Sequence, residues 1–269
     1  MQATPIITML TDFGIRDGFI GVMKGVLLNI NPHARLIDIS HDLPPFSISA
    51  GAFLNEWSFR YFSPGTVHLC VVDPGVGTRR RVLAVEAAGH YFVAPDNGLL
   101  TPIFDLKDTR IFHATNPRYW LENISNTFHG RDVFSPLAAH LSRGVPIEDM
   151  GQQIHDPVRI KLPELNYFEK GIECTIRYID CFGNLVTNLE RSIFDDWCQQ
   201  NACSAEDVII SVYDQEIHGI SQAYGDRKMG ELLAIFNGFD CLEVSVSAGN
   251  AATTTGLGIG DRVKVRAGV

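Results

Sequence analysis

Val67-His68-Leu69-Cys70-Val71-Val72-Asp73-Pro74-Gly75-Val76-Gly77-Thr78 is a nearly continuous apolar run that opens directly into a glycine-rich turn headed by a carboxylate. Such a run reads as a strand buried on both faces, where no polar alternation survives. The pattern recurs upstream. Pro5 to Leu10 reads as a strand ending in Thr11-Asp12-Phe13-Gly14. Phe19 to Ile30 carries apolar residues at helical spacing and stops before Pro32, as helices tend to. Arg35 to Ile39 then reads as a strand and Ile48 to Phe62 as a helix. This alternation predicts an α/β N-terminal domain with a mainly parallel central sheet.

Downstream, two short strands flank Gly89-His90 between Val82 and Val93, and Ala94 to Leu100 forms a turn into a short helix. Asn126 to Asp132 is a further polar loop before a helix over Val133 to Leu141. Ligands of open α/β sheets bind beyond the carboxyl ends of the strands, so these four loops form the candidate site. Periodicity fails around Val158 to Phe168, amid Pro157 and Pro163. Beyond it strands dominate, at Ile172 to Ile179, Val208 to Tyr213, Leu242 to Val246 and Val263 to Val265, with short helices expected near Arg191 to Cys198 and Glu231 to Phe236. The reading is an α/β domain over 1–160 and a smaller all-β, barrel-like domain over 168–269.

Composition supports two folded domains: 269 residues, 45% hydrophobic and 20% charged. No apolar run approaches the roughly 18 residues of a membrane span. The opening MQATPIITMLTDFG lacks a basic region and a cleavage site, so no signal peptide and a cytoplasmic location are expected. Six cysteines without a Cys-x-x-Cys pair indicate neither a disulfide framework nor a zinc cluster. A net charge of −9 without a long basic run argues against nucleic acid as a partner. Neither a cofactor nor a metal is expected.

Each polar motif has a chemical and a structural reading. Asp12 and Asp17 bracket the first turn, and a carboxylate there can accept both hydroxyls of a ribose diol, while helix capping suits Asp17. No Gly-x-Gly-x-x-Gly follows that strand. In DPGVGTRRR, Asp73 stands close to Arg79, Arg80 and Arg81, a pairing that orients a water or a charged group or else serves as a structural ion pair. The Lys and Ser or Thr of a phosphate loop are out of register. In Asn126 to Asp132, His129 can act as acid, base or donor near neutral pH, or as a cap beside a solvated Arg131–Asp132 pair. His33, His68 and His90 fall singly and read as structural. Asp180 to Asn188, with Asn184, offers amides able to read a heterocycle edge, and equally a plain turn. Asn250-Ala251-Ala252 is open between a helix start and close backbone approach to a ligand.

In order, TDFG at Thr11, DPGVGT at Asp73, APDNGLL at Ala94, FHGRDVFSPLAA at Phe128, DCFGNLVTN at Asp180 and YGD with GELLAIFN from Tyr224 form a set spanning nearly the whole chain. The chain thereby resembles the S-adenosylmethionine hydroxide adenosyltransferases, hydrolases related to fluorinating and chlorinating enzymes that use the same substrate. The resemblance implies a C-terminal β-barrel and a homotrimer with sites between the N-terminal domain of one subunit and the C-terminal domain of the next. It also implies attack of water or hydroxide on the ribose C5′ of S-adenosylmethionine (SAM), releasing adenosine and L-methionine. By the same resemblance Asp73, Arg80 and His129 hold the nucleophile, Asp12 takes the ribose diol, and Phe46 and Phe128 contact the substrate, Phe46 as a lid. Asp180 would hold the methionine ammonium and Asn184 the adenine edge, with Asn250 and Ala251 beside the base. Halogenating relatives carry an aromatic residue and a small polar pocket where this chain has Asp73 and Gly130, which favours water over halide. Asn237-Gly238-Phe239-Asp240-Cys241 replaces the serine and arginine that those relatives use on the methionine carboxylate. The alternatives are a chlorinase-like halide transferase and a SAM- or adenosine-binding protein without turnover.

Overall fold

A computed structural model describes residues 4–268; Met1 to Ala3 of the opening read for a leader, and Val269, lie outside it. The chain divides into two compact units, Met1–Ile160 and Lys161–Val269.

The first unit contains β1 (Ile6–Thr11), α1 (Phe19–Ile30), β2 (Arg35–Ser40), α2 (Ile48–Ser58), β3 (Val67–Val71), β4 (Val82–Ala87), β5 (His90–Pro95), β6 (Arg110–His113), α3 (Ser135–Ser142) and β7 (Gln152–Ile154). Its sheet runs β2-β1-β3-β5-β4-β6-β7. The pairs of β1 with β2, β1 with β3 and β3 with β5 are parallel, and the remaining three are antiparallel. The parallel part holds the apolar runs β1 and β3 at its centre, and the turns bearing Asp12 and Asp73 leave its carboxyl edge. The β4–β5 hairpin closes through Ala88 and Gly89, both at positive φ, which matches the strand twist in a two-residue turn.

Two local expectations change. Helix α1 buries Ile20, Met23 and Leu27, whereas Phe19 and Val22 of the same apolar set are exposed. Its N-cap is Gly18 without a side-chain hydrogen bond, so Asp17 does not cap it. The helix expected to begin at Val133 starts earlier, as a π-helical turn over Gly130–Phe134 that runs into α3.

The second unit contains β8 (Asn166–Phe168), β9 (Gly171–Ile179), β10 (Leu185–Glu190), α4 (Arg191–Asn201), β11 (Val208–Val212), β12 (Gln215–His218), β13 (Leu232–Phe236), β14 (Cys241–Val246), α5 (Ala251–Thr255) and β15 (Arg262–Ala267). Its sheet, β12-β11-β15-β9-β10-β14-β13 with β8 beside β9, is antiparallel throughout and nearly closes into a barrel, since Ser221 just after β12 bridges to Ile235 on β13. Glu231 to Phe236 was expected to be helical. It is strand β13, because its apolar residues pair along β14 from Leu232–Val246 to Phe236–Leu242. Phe194 and Trp197 of α4 pack into the barrel core with Phe236 and Ile172.

Candidate functional site

In the first unit the loop after β3 brings Asp73 back onto its own chain. Arg80 donates to Asp73 from Nε at 3.0 Å to each oxygen and from Nη2 at 2.5 Å. Of the three arginines, it is Arg80 that meets both Asp73 and His129. Arg81 turns away to Asp96, 2.6 Å, and to Asp156, 2.8 Å, and Arg79 is exposed. The pair is withdrawn from water, with the Arg80 and Asp73 side chains 9% and 4% exposed. The guanidinium also lies 5.0 Å from the centroid of the Phe134 ring, a cation–π contact.

Arg80 Nη2 reaches His129 Nδ1 at 2.8 Å. Arginine has only donors, so Nδ1 accepts and the imidazole is neutral with its proton on Nε2. Burial and then the Arg80 charge push the His129 pKa below its ordinary value, against the weaker pull of Asp73, Asp132 and the Ser125 backbone. His129 is thus a neutral acceptor that fixes Arg80, and a proton donor only under acid conditions.

Two glycines make this approach feasible. Gly77 lies at φ +76, and a Cβ there would stand 2.2 Å from the Asn126 carbonyl oxygen, so the DPGVGT turn and the Asn126 loop meet only because residue 77 has no side chain. A Cβ on Gly130, buried behind His129, would stand 3.2 Å from each of the Met23, Phe13 and Phe128 side chains. Arg131 and Asp132 do pair, but Asp132 is wholly buried rather than solvated. Burial raises its pKa, yet Arg131 and the Ser125 hydrogen bonds outweigh that and hold it below the usual carboxylate range, which ties the loop together.

Asp12, at the end of β1, accepts the Phe46 N–H at Oδ2, 2.8 Å. Phe46 has φ 65 and is 69% exposed. Phe128 packs edge-on against Phe13 and Phe19, with centroids 6.1 and 5.2 Å apart. The Ala94 loop serves structure instead, as Asp96 is held by Arg81 and the Asn97 amide donates to the Val72 carbonyl. His68 and His90, expected to stand singly, hydrogen-bond each other at 3.1 Å, with Thr8 on His68 at 2.8 Å.

The second unit gathers the remaining expected residues. Asp180 Oδ1 accepts the N–H groups of Phe182 and Asn184, both 2.9 Å, and Oδ2 accepts the Asn184 amide, 2.9 Å. Asn250 caps α5 by accepting the Thr253 N–H, 2.8 Å, as its reading as a helix start expects. Ala251, the first residue of α5, is buried. The two loops touch through Gly183, where a Cβ would stand 2.1 Å from the Asn250 amide. Sequence reading passed over Glu243, 2% exposed, which accepts from Tyr224 Oη at 3.0 Å, Asn237 Nδ2 at 2.9 Å and Ser245 Oγ at 2.6 Å. Burial and then the Glu243 charge push the Tyr224 hydroxyl up to about 12. A lone acid inside the apolar strand Cys241–Val246 was the available signal. Among the described residues no cluster of His, Cys, Asp and Glu could hold a metal ion.

The family model described as SAM hydroxide adenosyltransferase N-terminal domain matches residues 7–151, and that of the C-terminal domain matches residues 174–264. The chain is 35% identical over 272 residues to the (R)-S-adenosyl-L-methionine hydrolase of Salinispora tropica, covering 100% of both. It is 28% identical over 219 residues to the fluorinase of an Actinoplanes species, covering 71% of this chain and 74% of that one. A crystal structure of an uncharacterized conserved protein from Thermotoga maritima superposes with a TM-score of 0.89 at 33% identity, covering 97% of this chain and 99% of the other.

Proposed function

The chain belongs to the SAM hydroxide adenosyltransferase family, and from that premise we infer that it hydrolyses S-adenosyl-L-methionine to adenosine and L-methionine. The observation that carries the mechanism is the withdrawn Asp73 carboxylate held by three N–H···O contacts from Arg80, which in turn is braced by His129. A water O–H donating to Asp73 gains electron density on the oxygen that attacks C5′. The C5′–S bond then breaks with its electron pair on sulfur, and the water proton leaves to solvent. A sulfonium departs as a neutral thioether and needs no acid, which agrees with a His129 kept neutral. The task is alignment of a nucleophile in a dry place, where effective molarity does most of the acceleration.

In the same proposal Asp12 accepts the ribose diol, with Phe46 and Phe128 against the substrate. Asp180, Asn184, Asn250 and Ala251 serve the methionine ammonium and the adenine. No cofactor takes part. The name of the Salinispora relatives specifies the (R) sulfonium epimer, and we assign that epimer here. The functional unit in this proposal is a homotrimer, and the exposed apolar side chains of Ile15, just before α1, and of Phe19 and Val22 on it offer surface for a subunit contact. No described helix is long and apolar enough to cross a membrane, and a cytoplasmic location is part of the proposal.

Incubation with each sulfonium epimer, followed by chromatography, should yield adenosine and methionine from the (R) form. Absence of adenosine under conditions where the substrate binds overturns the reading. With added chloride, 5′-chloro-5′-deoxyadenosine in place of adenosine would establish halide transfer instead. Light scattering should give a mass near three times 29.8 kDa.

A further inference from the structure

The turn that carries Asp12 does not stand alone. Thr11, wholly buried, accepts the Phe13 N–H at 3.3 Å and meets His41 Nδ1 at 2.9 Å. The His41 carbonyl accepts the Gly14 N–H at 2.7 Å. With the Phe46 N–H on Asp12, three contacts stitch the β1 turn to the connection between β2 and α2. Behind this, His41 Nε2 stands 3.0 Å from Asp38 Oδ1, a contact that is short but poorly aligned for a hydrogen bond. Lys24 of α1 donates to the other Asp38 oxygen at 2.6 Å.

The carboxylate of Asp38 assigns the His41 proton to Nε2, which leaves Nδ1 as acceptor and makes the Thr11 hydroxyl the donor. Two hydrogen bonds then run in one sense, Phe13 N–H to Thr11 Oγ1 and Thr11 O–H to His41 Nδ1, with the Nε2 edge of the ring facing the Asp38 carboxylate. This polarity leaves the Thr11 lone pair facing the backbone of the turn. Asp12 Oδ2 is taken by Phe46, while Oδ1 accepts no hydrogen bond among the described residues. The carboxylate is therefore held at one oxygen and open at the other, and its position depends on the two segments staying in register.

We propose that His41 is a positioning residue for Asp12, locking the β1 turn to the β2–α2 connection through Thr11 so that the open oxygen of Asp12 meets the ribose diol. His41 itself touches no substrate. The inference rests on the reading of Asp12 as the diol acceptor.

The test compares binding of adenosine and 2′,3′-dideoxyadenosine by calorimetry in the wild type and four variants. Thr11→Val removes the hydroxyl at nearly constant shape, His41→Leu removes the imidazole, His41→Asn offers an amide where Nδ1 was, and Asp12→Ala removes the acceptor. The wild type should prefer adenosine. A hydrogen bond to a charged group accounts for roughly tenfold or more in affinity, so Asp12→Ala, Thr11→Val and His41→Leu should each lower the preference by about that factor while dideoxyadenosine affinity holds. His41→Asn should restore most of it. If His41→Leu does not fold, Thr11→Val and His41→Asn carry the comparison. Equal weakening of both ligands, or unchanged preference in Thr11→Val while Asp12→Ala loses it, overturns the positioning role alone. Preference kept in Asp12→Ala overturns the diol reading and the proposal with it.

Discussion

Acidification from pH 7 to pH 5 should weaken the first unit by about 2 kcal/mol through one side chain. His68 sits on β3 among Phe59, Phe62 and Phe92, bonded to Thr8 and His90, and burial followed by the His90 charge pushes its pKa from 6.5 to about 3. The folded chain thus keeps His68 neutral while the unfolded chain takes up a proton below 6.5. Protons bound by the unfolded state alone reduce stability as pH falls, so the loss begins near 6.5 and ends near 3. At pH 5 the linkage relation with those two values gives about 2 kcal/mol relative to pH 7. The assay is urea denaturation at a series of pH values in the wild type and in His68→Phe. The variant is destabilised at every pH, because Thr8 and His90 lose a partner. Its loss of stability between pH 7 and pH 5 should nevertheless be smaller by the same amount, about 2 kcal/mol. Parallel slopes in the two proteins would refute the claim that His68 is held neutral.

Arg80→Lys keeps a charge but loses the planar fork over Phe134, so kcat/KM should drop at least roughly tenfold while the protein still folds. His129→Asn, whose amide can still accept from Arg80, should retain at least about ten times the activity of His129→Ala, because the ring works as an acceptor. In the wild type His129 ionises below its ordinary value, so the activity plateau should extend from pH 8 down past 6.5, and a fall centred above 6.5 would contradict its neutral state. Gly77→Ala should cost about 1–2 kcal/mol of backbone strain, measured by urea denaturation. The clash with Asn126 should also part the two loops and lower kcat more than it raises KM.

What the sequence made legible follows burial. The β1 and β3 runs announce themselves because both faces are covered, and the turns behind them carry Asp12 and Asp73. Edge strands such as Gln152–Ile154 and Asn166–Phe168, short and largely exposed, have no apolar pattern to betray them. Leu232–Phe236 misleads for the opposite reason, since a short apolar run is indistinguishable from a buried helical turn until β14 supplies its partner. The same limit governs the site. DPGVGTRRR shows that an arginine will meet Asp73, but which arginine depends on Asp96 and Asp156 claiming Arg81 from elsewhere in the chain. His41 and Thr11, thirty positions apart, meet only because β1 and β2 pair in parallel.

The Asp73–Arg80 pair also has a bearing on salt. Its opposite charges cancel within a few ångströms and both side chains are nearly closed to solvent, so the pair presents a dipole rather than a net charge to an arriving species. A dipole of this kind aligns water and gives a free anion no net attraction. Because buried pairs are screened far less than exposed charges, added electrolyte should leave the pair unchanged, and with it the nucleophile that the proposal places there. Activity measured across a chloride series at fixed pH should therefore stay level, and a loss that grows with chloride would contradict this reading of the pair.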